Sequence, residues 1–94
     1  SFEVVLDDEW ISGTFDRVVL RRAPGGEPVA ATILDFKSDR IDGEAGLAPA
    51  IQRHTGQMRL YRQVLARLTG LSPGAITCQL AFTHPGRVVT LDFA

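Results

Sequence analysis

The sequence predicts an α/β fold: a mixed sheet of about five strands with one main helix, in the order β-β-β-α-β-β. Three observations carry this expectation. Apolar residues alternate along the chain's first segment, a single stretch between Ile51 and Leu68 repeats its apolar residues at steps of three and four, and Gly/Pro-rich turns separate the segments.

Phe2, Val4 and Leu6 alternate with Glu3 and Val5, which gives a short first strand, and the acidic turn Asp7-Asp8-Glu9 returns the chain at Trp10 as a hairpin. Ile11 to Arg21 then reads as one longer second strand, with Thr14, Asp16 and Val18 on one side and Phe15, Arg17 and Val19 on the other. Ala23-Pro24-Gly25-Gly26-Glu27-Pro28 is a loop by composition. Val29 to Lys37, rich in apolar and β-branched residues, makes the third strand and ends abruptly in charge. Ser38 to Ala48, with Gly43 and Gly46, reads as a mobile connection.

The helix follows. Ile51, His54, Met58, Tyr61, Leu65 and Leu68 define one apolar stripe, with Arg53, Arg59, Arg62 and Arg67 mostly off it. Its start is ambiguous between Pro49 in a first helical turn and Thr55 as an N-cap, whereas Gly70 is a clear stop, before a turn at Ser72-Pro73-Gly74. Ile76 to Thr83 is a fourth strand, His84-Pro85-Gly86 a turn, and Arg87 to Phe93 a fifth strand. A helical crossover would lay the fourth strand beside the earlier sheet.

Ninety-four residues allow one domain with a thin core, and 45% apolar with 22% charged residues is the composition of an ordinary globular chain. The single cysteine, Cys78, lies in an apolar run and reads as a small buried hydrophobe; one cysteine excludes an internal disulfide, a four-cysteine cluster and a zinc ribbon. No run of apolar residues is long enough to span a bilayer, so the expected location is the cytoplasm and no membrane partner is expected. The chain opens at Ser1, within a strand, and is expected to be a truncated piece of a larger protein.

Charge is divided along the chain. Residues 1–44 carry ten acidic side chains against five basic ones, whereas from Ala45 onward five arginines face only Asp92. An acidic half suited to cations beside a basic half suited to anions fits a metal-dependent enzyme acting on a polyanion. Of the ten basic residues nine are arginine, and Lys37 is the one lysine.

Asp16 falls within an otherwise apolar strand, and Asp35 ends a run that looks buried, positions where a carboxylate needs a cation or a strong donor. Asp35 and Lys37, two apart on a strand, share a face. Pairing of the second and third strands would bring Asp16 towards Asp35, so two carboxylates and one ammonium would converge on a spot suited to a hard divalent cation. The Phe36 carbonyl would add a third oxygen. The competing structural reading pairs these acids with Arg17, Lys37 or Arg40 at a surface.

Gly13-Thr14-Phe15-Asp16-Arg17, Ile33-Leu34-Asp35-Phe36-Lys37-Ser38-Asp39 and Gln57-Met58-Arg59-Leu60-Tyr61 occur in that order. Together they resemble the PD-(D/E)XK nuclease superfamily, and more narrowly the RecB-type nuclease domain of the bacterial AddA and RecB helicase–nucleases, whose pattern is Gly-x-Ile/Val-Asp-Arg, Asp-Tyr/Phe-Lys-Thr/Ser and Gln-x-x-x-Tyr. The resemblance spans roughly Glu3 to Thr83. It implies a restriction-endonuclease-like core that hydrolyses DNA phosphodiesters, with Asp16, Asp35 and the Phe36 carbonyl on Mg2+ (or Mn2+) and Lys37 as the catalytic lysine. Gln57 and Tyr61 would hold the active-site strands or touch DNA, and Arg53, Arg59 and Arg62 would support or contact it. It also implies further domains of the same polypeptide, a partner subunit, and ATP only in a motor region that this chain lacks. Phe15 stands where the family has Ile or Val.

The family's opening helix with its histidine ligand has no counterpart here, since His54 reads as a core or helix-face residue and His84 as a turn residue; the isolated fragment is therefore expected to be weakly active or inactive, with a bare sheet face that favours self-association. Two other readings remain: a non-catalytic nucleic-acid-binding module on the same fold, with Arg53, Arg59, Arg62 and Arg67 on phosphates, and an unrelated small α/β interaction domain.

Overall fold

The computed structural model describes residues 1–84 and 86–93. It is an α/β fold of six strands and one long helix: β1 (Phe2–Leu6), β2 (Glu9–Gly13), β3 (Arg17–Arg22), β4 (Pro28–Lys37), α1 (Gly43–Thr69), a 3-10 turn at Pro73–Ala75, β5 (Ile76–Phe82) and β6 (Arg87–Thr90). The mixed sheet has four strands in the order β3-β4-β5-β6, with β4 and β5 parallel across the α1 crossover and the other pairs antiparallel. This is the layout the sequence predicts, with one strand divided in two.

That division lies at Thr14–Asp16. Instead of one strand from Ile11 to Arg21, β2 pairs with β1 in a separate two-stranded ribbon and β3 joins the main sheet. Phe15 is the reason the chain can turn from one sheet to the other. Its ring packs 4.7 Å from Phe2 and 5.5 Å from Tyr61, with Phe2 and Tyr61 5.7 Å apart, so an apolar anchor pins the connecting segment. Asp16 is accordingly at the mouth of β3 and not inside a strand.

The second correction concerns the helix. α1 begins at Gly43, so the segment without regular structure is limited to residues 38–42, and Pro49 and Thr55 both lie inside the helix. Pro49 removes the bond that would reach the Ala45 carbonyl, but both residues are exposed, so water can take that carbonyl. Thr55 donates its hydroxyl to the Ile51 carbonyl at 2.8 Å, a bond within the helix and not a cap. What sequence periodicity understated is the apolar anchoring of the first turns, where Leu47 and Ala50 are buried. Gly43 at the start has φ +69° and Gly70 at the end φ +76°, both in the left-handed region that glycine enters without penalty, and the Gly70 N–H caps the Ala66 carbonyl.

Strand alternation sets two faces on the main sheet. Ala31, Ile33 and Asp35 of β4 align with Ile76, Cys78 and Leu80 of β5, and the apolar members of this face pack with Leu47, Ala50, Met58 and Leu65 of α1 as the main core. Cys78 is buried there as expected, and burial pushes its thiol up to about 11. The opposite face exposes Val19, Phe36 and Val88. The ribbon packs Phe2 and Val4 against Val64 and leaves the cross-strand pair Val5 and Trp10 outward. β6 stops at Thr90, short of the Phe93 expected, and that phenyl ring instead lies under the guanidinium groups of Arg59 and Arg62, at 5.4 and 4.3 Å. Within the His84-Pro85-Gly86 turn, Pro85 lies outside the described residues, while His84 is exposed.

Two stripe residues that look equivalent in sequence are not equivalent in the fold, since Met58 is fully buried and Leu68 is 53% exposed. Met58→Ala is expected to cost about 2–5 kcal/mol in urea unfolding, and Leu68→Ala less than about 1 kcal/mol.

Candidate functional site

β4 carries the site because its last residues leave the apolar part of the sheet while still facing α1. Asp35 is 5% exposed, the one charged residue among the buried ones described. Removing a carboxylate from water costs several kcal/mol unless charge or donors compensate. Compensation comes from two residues along the same strand face, where the Lys37 ammonium lies 2.7 Å from Asp35 Oδ2. Among the described residues that ammonium is the one group placed against this oxygen, which has no further donor.

Asp16 reaches the same place from the mouth of β3. The ladder pairs Arg17 with Leu34, and continuing that register by one residue sets Asp16 opposite Asp35. Asp16 Oδ2 accepts the Phe36 N–H at 2.9 Å, in the backbone between Asp35 and Lys37. Burial pushes the Asp35 carboxyl above its ordinary value, Lys37 pulls it back, and the Asp16 carboxyl pushes it up again. Two carboxylates therefore crowd one another beside one ammonium.

From α1, Gln57 Oε1 accepts from Lys37 Nζ at 2.9 Å, and Gln57 Nε2 donates to the Tyr61 hydroxyl at 3.3 Å. Tyr61 thus has two attachments: its ring belongs to the Phe2–Phe15 cluster and its hydroxyl holds the amide that holds Lys37. Of the candidate residues, the structure brings together Asp16, Asp35, Phe36, Lys37, Gln57 and Tyr61. It does not bring the arginines to them. Arg53 is paired with Asp39, and Arg59 and Arg62 face Phe93.

Sequence reasoning missed Asp39. Its Oδ2 accepts from Arg53 Nη2 at 2.9 Å, and both its oxygens lie 3.0 Å from His54 Nε2, which as the neighbour of a carboxylate must carry the proton. These partners hold the Asp39 carboxyl down to about 2. The pairing was hidden because residues 38–48 read as a mobile connection, which left no fixed distance between Asp39 and the helix.

Asp16 and Asp35 offer oxygen donors of the kind a hard divalent cation takes, with backbone and water completing the shell. The buried Asp35 carboxylate, crowded by Asp16 and with one ammonium as its counter-charge, fits such a role. Among the described residues no cluster of three or more His, Cys, Asp or Glu side chains is placed to hold a metal, so the protein's side-chain share would be these two carboxylates. None of the described helices is long and apolar enough to cross a membrane.

No protein-family model matches the chain. Over 63 residues it is 36% identical to an ATP-dependent helicase/nuclease subunit from Limosilactobacillus fermentum, an alignment that takes in 64% of this chain. It spans about 5% of the length of that relative.

The two shifted carboxyls act on stability with opposite signs. Asp39, depressed to about 2 from 3.8, contributes stability that is complete above its unfolded value and is lost as the pH falls towards 2. Asp35, raised, contributes stability that is present at low pH and lost as the pH rises through its folded value. In urea unfolding from pH 2 to 7, Asp39→Asn should flatten the loss below pH 4, whereas Asp35→Asn should raise the midpoint at pH 7.

Proposed function

We propose that the chain is a metal-dependent DNA nuclease domain of the PD-(D/E)XK superfamily, RecB-like, that hydrolyses phosphodiesters as part of a larger ATP-dependent helicase–nuclease in double-strand-break repair and recombination. The observation that carries this reading is the convergence of Asp16, Asp35 and Lys37 at the end of β4, with Asp35 buried and raised in pKa. A carboxylate destabilised in this way gives the fold little reason to keep it except chemistry. The partial likeness to a helicase/nuclease protein supports the same reading.

In this reading Asp16 and Asp35, with the Phe36 carbonyl, hold Mg2+ or Mn2+. The ion, when bound, polarises the scissile phosphate and lowers the pKa of a water. The Lys37 ammonium orients the attacking water or offsets charge that grows on the phosphorus oxygens. Gln57 keeps Lys37 in place from the helix, which matters once Asp35 shares its oxygens with a cation. Tyr61 fixes Gln57. Arg59 and Arg62, stiffened against Phe93, are the proposed phosphate contacts, whereas Arg53 is committed to Asp39. DNA, other domains of the same polypeptide and a partner subunit are its partners, and ATP belongs to the motor of that larger protein.

The test is cutting of a labelled DNA duplex and single strand by the helicase–nuclease that carries this domain. Asp35→Ala and Lys37→Ala should each lower Mg2+-dependent cutting by about a hundredfold or more, with ATP hydrolysis retained. EDTA should abolish it. Lys37→Arg should not restore it, since a broad planar guanidinium cannot take the place of a compact ammonium between Asp35 and Gln57. Undiminished cutting by Asp35→Ala overturns the assignment.

A further inference from the structure

We propose that Asp39 is the positioning residue for Lys37, acting through α1; the inference rests on the reading of Lys37 as the group that meets charge at the reacting phosphate. Lys37 is the last residue of β4, and two residues later Asp39 turns its carboxylate onto the helix, where His54 and Arg53 receive it at 3.0 and 2.9 Å. His54 precedes Gln57 by three residues, so the two lie on neighbouring parts of one helix face. Gln57 then returns to Lys37 Nζ at 2.9 Å. The contacts close a ring: Lys37 to Asp39 along the backbone, Asp39 to His54 across space, His54 to Gln57 along the helix, and Gln57 back to Lys37.

The remaining sides of that ring are fixed. The Lys37 carbonyl accepts from the Thr83 N–H at 3.0 Å and from its hydroxyl at 3.3 Å, and Lys37 is in register with Phe82, whose ring lies 6.4 Å from His54. The helix side is the one in need of a clamp. Residues 38–42 have no regular structure, and the first turns of α1 lack the bond that Pro49 removes. Asp39 supplies it with a charge-assisted contact to each of two successive helix residues. Asp39 itself touches neither Asp16 nor Asp35 in any described contact, so its effect on chemistry would pass through the placement of Gln57 and hence of the Lys37 ammonium.

In the helicase–nuclease labelled with 13C-lysine, the Cε resonance of Lys37 is assigned as the one lost in Lys37→Arg. Its shift and its relaxation report how firmly the ammonium is held and require no catalytic activity. Gln57→Ala should move the shift and mobilise the side chain. Asp39→Ala should do the same although it removes no contact to Lys37, the Asp39→Ala/Gln57→Ala double variant should go no further than Gln57→Ala alone, and Asp39→Glu should restore part of the wild-type signal. His54→Gln, which keeps a donor, is the milder variant to read should Asp39→Ala not fold. In the larger protein the expected cost of Asp39→Ala is about tenfold in kcat with KM unchanged. A Lys37 resonance that is unaltered in both Asp39→Ala and His54→Gln, while Gln57→Ala moves it, overturns the proposal. Loss of the nuclease reading itself would show separately, as wild-type protein that does not cut DNA while the labelled lysine still responds to Asp39.

Discussion

Everything around the end of β4 depends on one constraint: a carboxylate has been taken into the interface between a sheet and a helix. Asp35 occupies a position that Ala31 and Ile33 fill with apolar atoms earlier in the same strand. An isolated ionised group there would be untenable, and the neighbouring Asp16 carboxyl worsens the electrostatics. The fold answers with a single ammonium two residues away and then has to hold that ammonium, because a four-carbon lysine stem is free to leave. Gln57 does so, Tyr61 holds Gln57, and the Phe2–Phe15–Tyr61 rings hold Tyr61. The aromatic cluster and the polar site are therefore one mechanical unit. Phe15 places Asp16 by chain geometry, since it is the preceding residue, and places Gln57 through Tyr61.

What the sequence disclosed, and what it concealed, follows from how local each cause is. The β4 strand, the hairpin at Asp7-Asp8 and the stop at Gly70 rest on a few adjacent residues, and all three stand in the structure near their expected bounds. The placement of Asp35 and Lys37 on one face needed only strand alternation. By contrast, the break at Thr14–Asp16 depends on Phe15 meeting Phe2 and Tyr61, both of them distant from it along the chain. Alternation simply continued through the break and gave one strand too long. The helix start failed for a related reason. Pro49 and two glycines weaken the local signal for residues 43–50, and it is burial of Leu47 and Ala50 against the sheet that overrides them. The Asp39 contacts were invisible for as long as that helix start was misplaced.

The division of charge seen in the sequence takes on a spatial meaning in the fold. The ribbon β1–β2 holds Glu3 and Glu9 in its strands and Asp7 and Asp8 at its turn, and the arginines from residue 53 to 67 run along α1. Three of those arginines are already engaged, Arg53 by the Asp39 carboxylate and Arg59 and Arg62 by the Phe93 ring. A guanidinium fixed against an aromatic ring loses less freedom on meeting a phosphate than a free one would. The ribbon thus gathers four acidic side chains beside the exposed Trp10, at 69%.

Three of the nine arginines and the one lysine differ in what their positions have to do. Arg53, Arg59 and Arg62 each make contacts that use a planar guanidinium: a directed bond to a carboxylate, or a stack on a ring. At residue 37 the geometry is different. Asp35 Oδ2 at 2.7 Å and Gln57 Oε1 at 2.9 Å meet at one nitrogen, which an ammonium with three rotatable donors can serve and a fork with fixed directions cannot serve at the same point. The neighbours also differ in permanence. A carboxylate with a raised pKa and an amide oxygen are partners that a group can leave and regain as charge nearby changes, whereas a guanidinium doubly bonded to a carboxylate would lock the acid against any cation. A lysine at this single address therefore meets the Asp35 charge and the Gln57 amide at one nitrogen, which none of the arginine contacts described above requires.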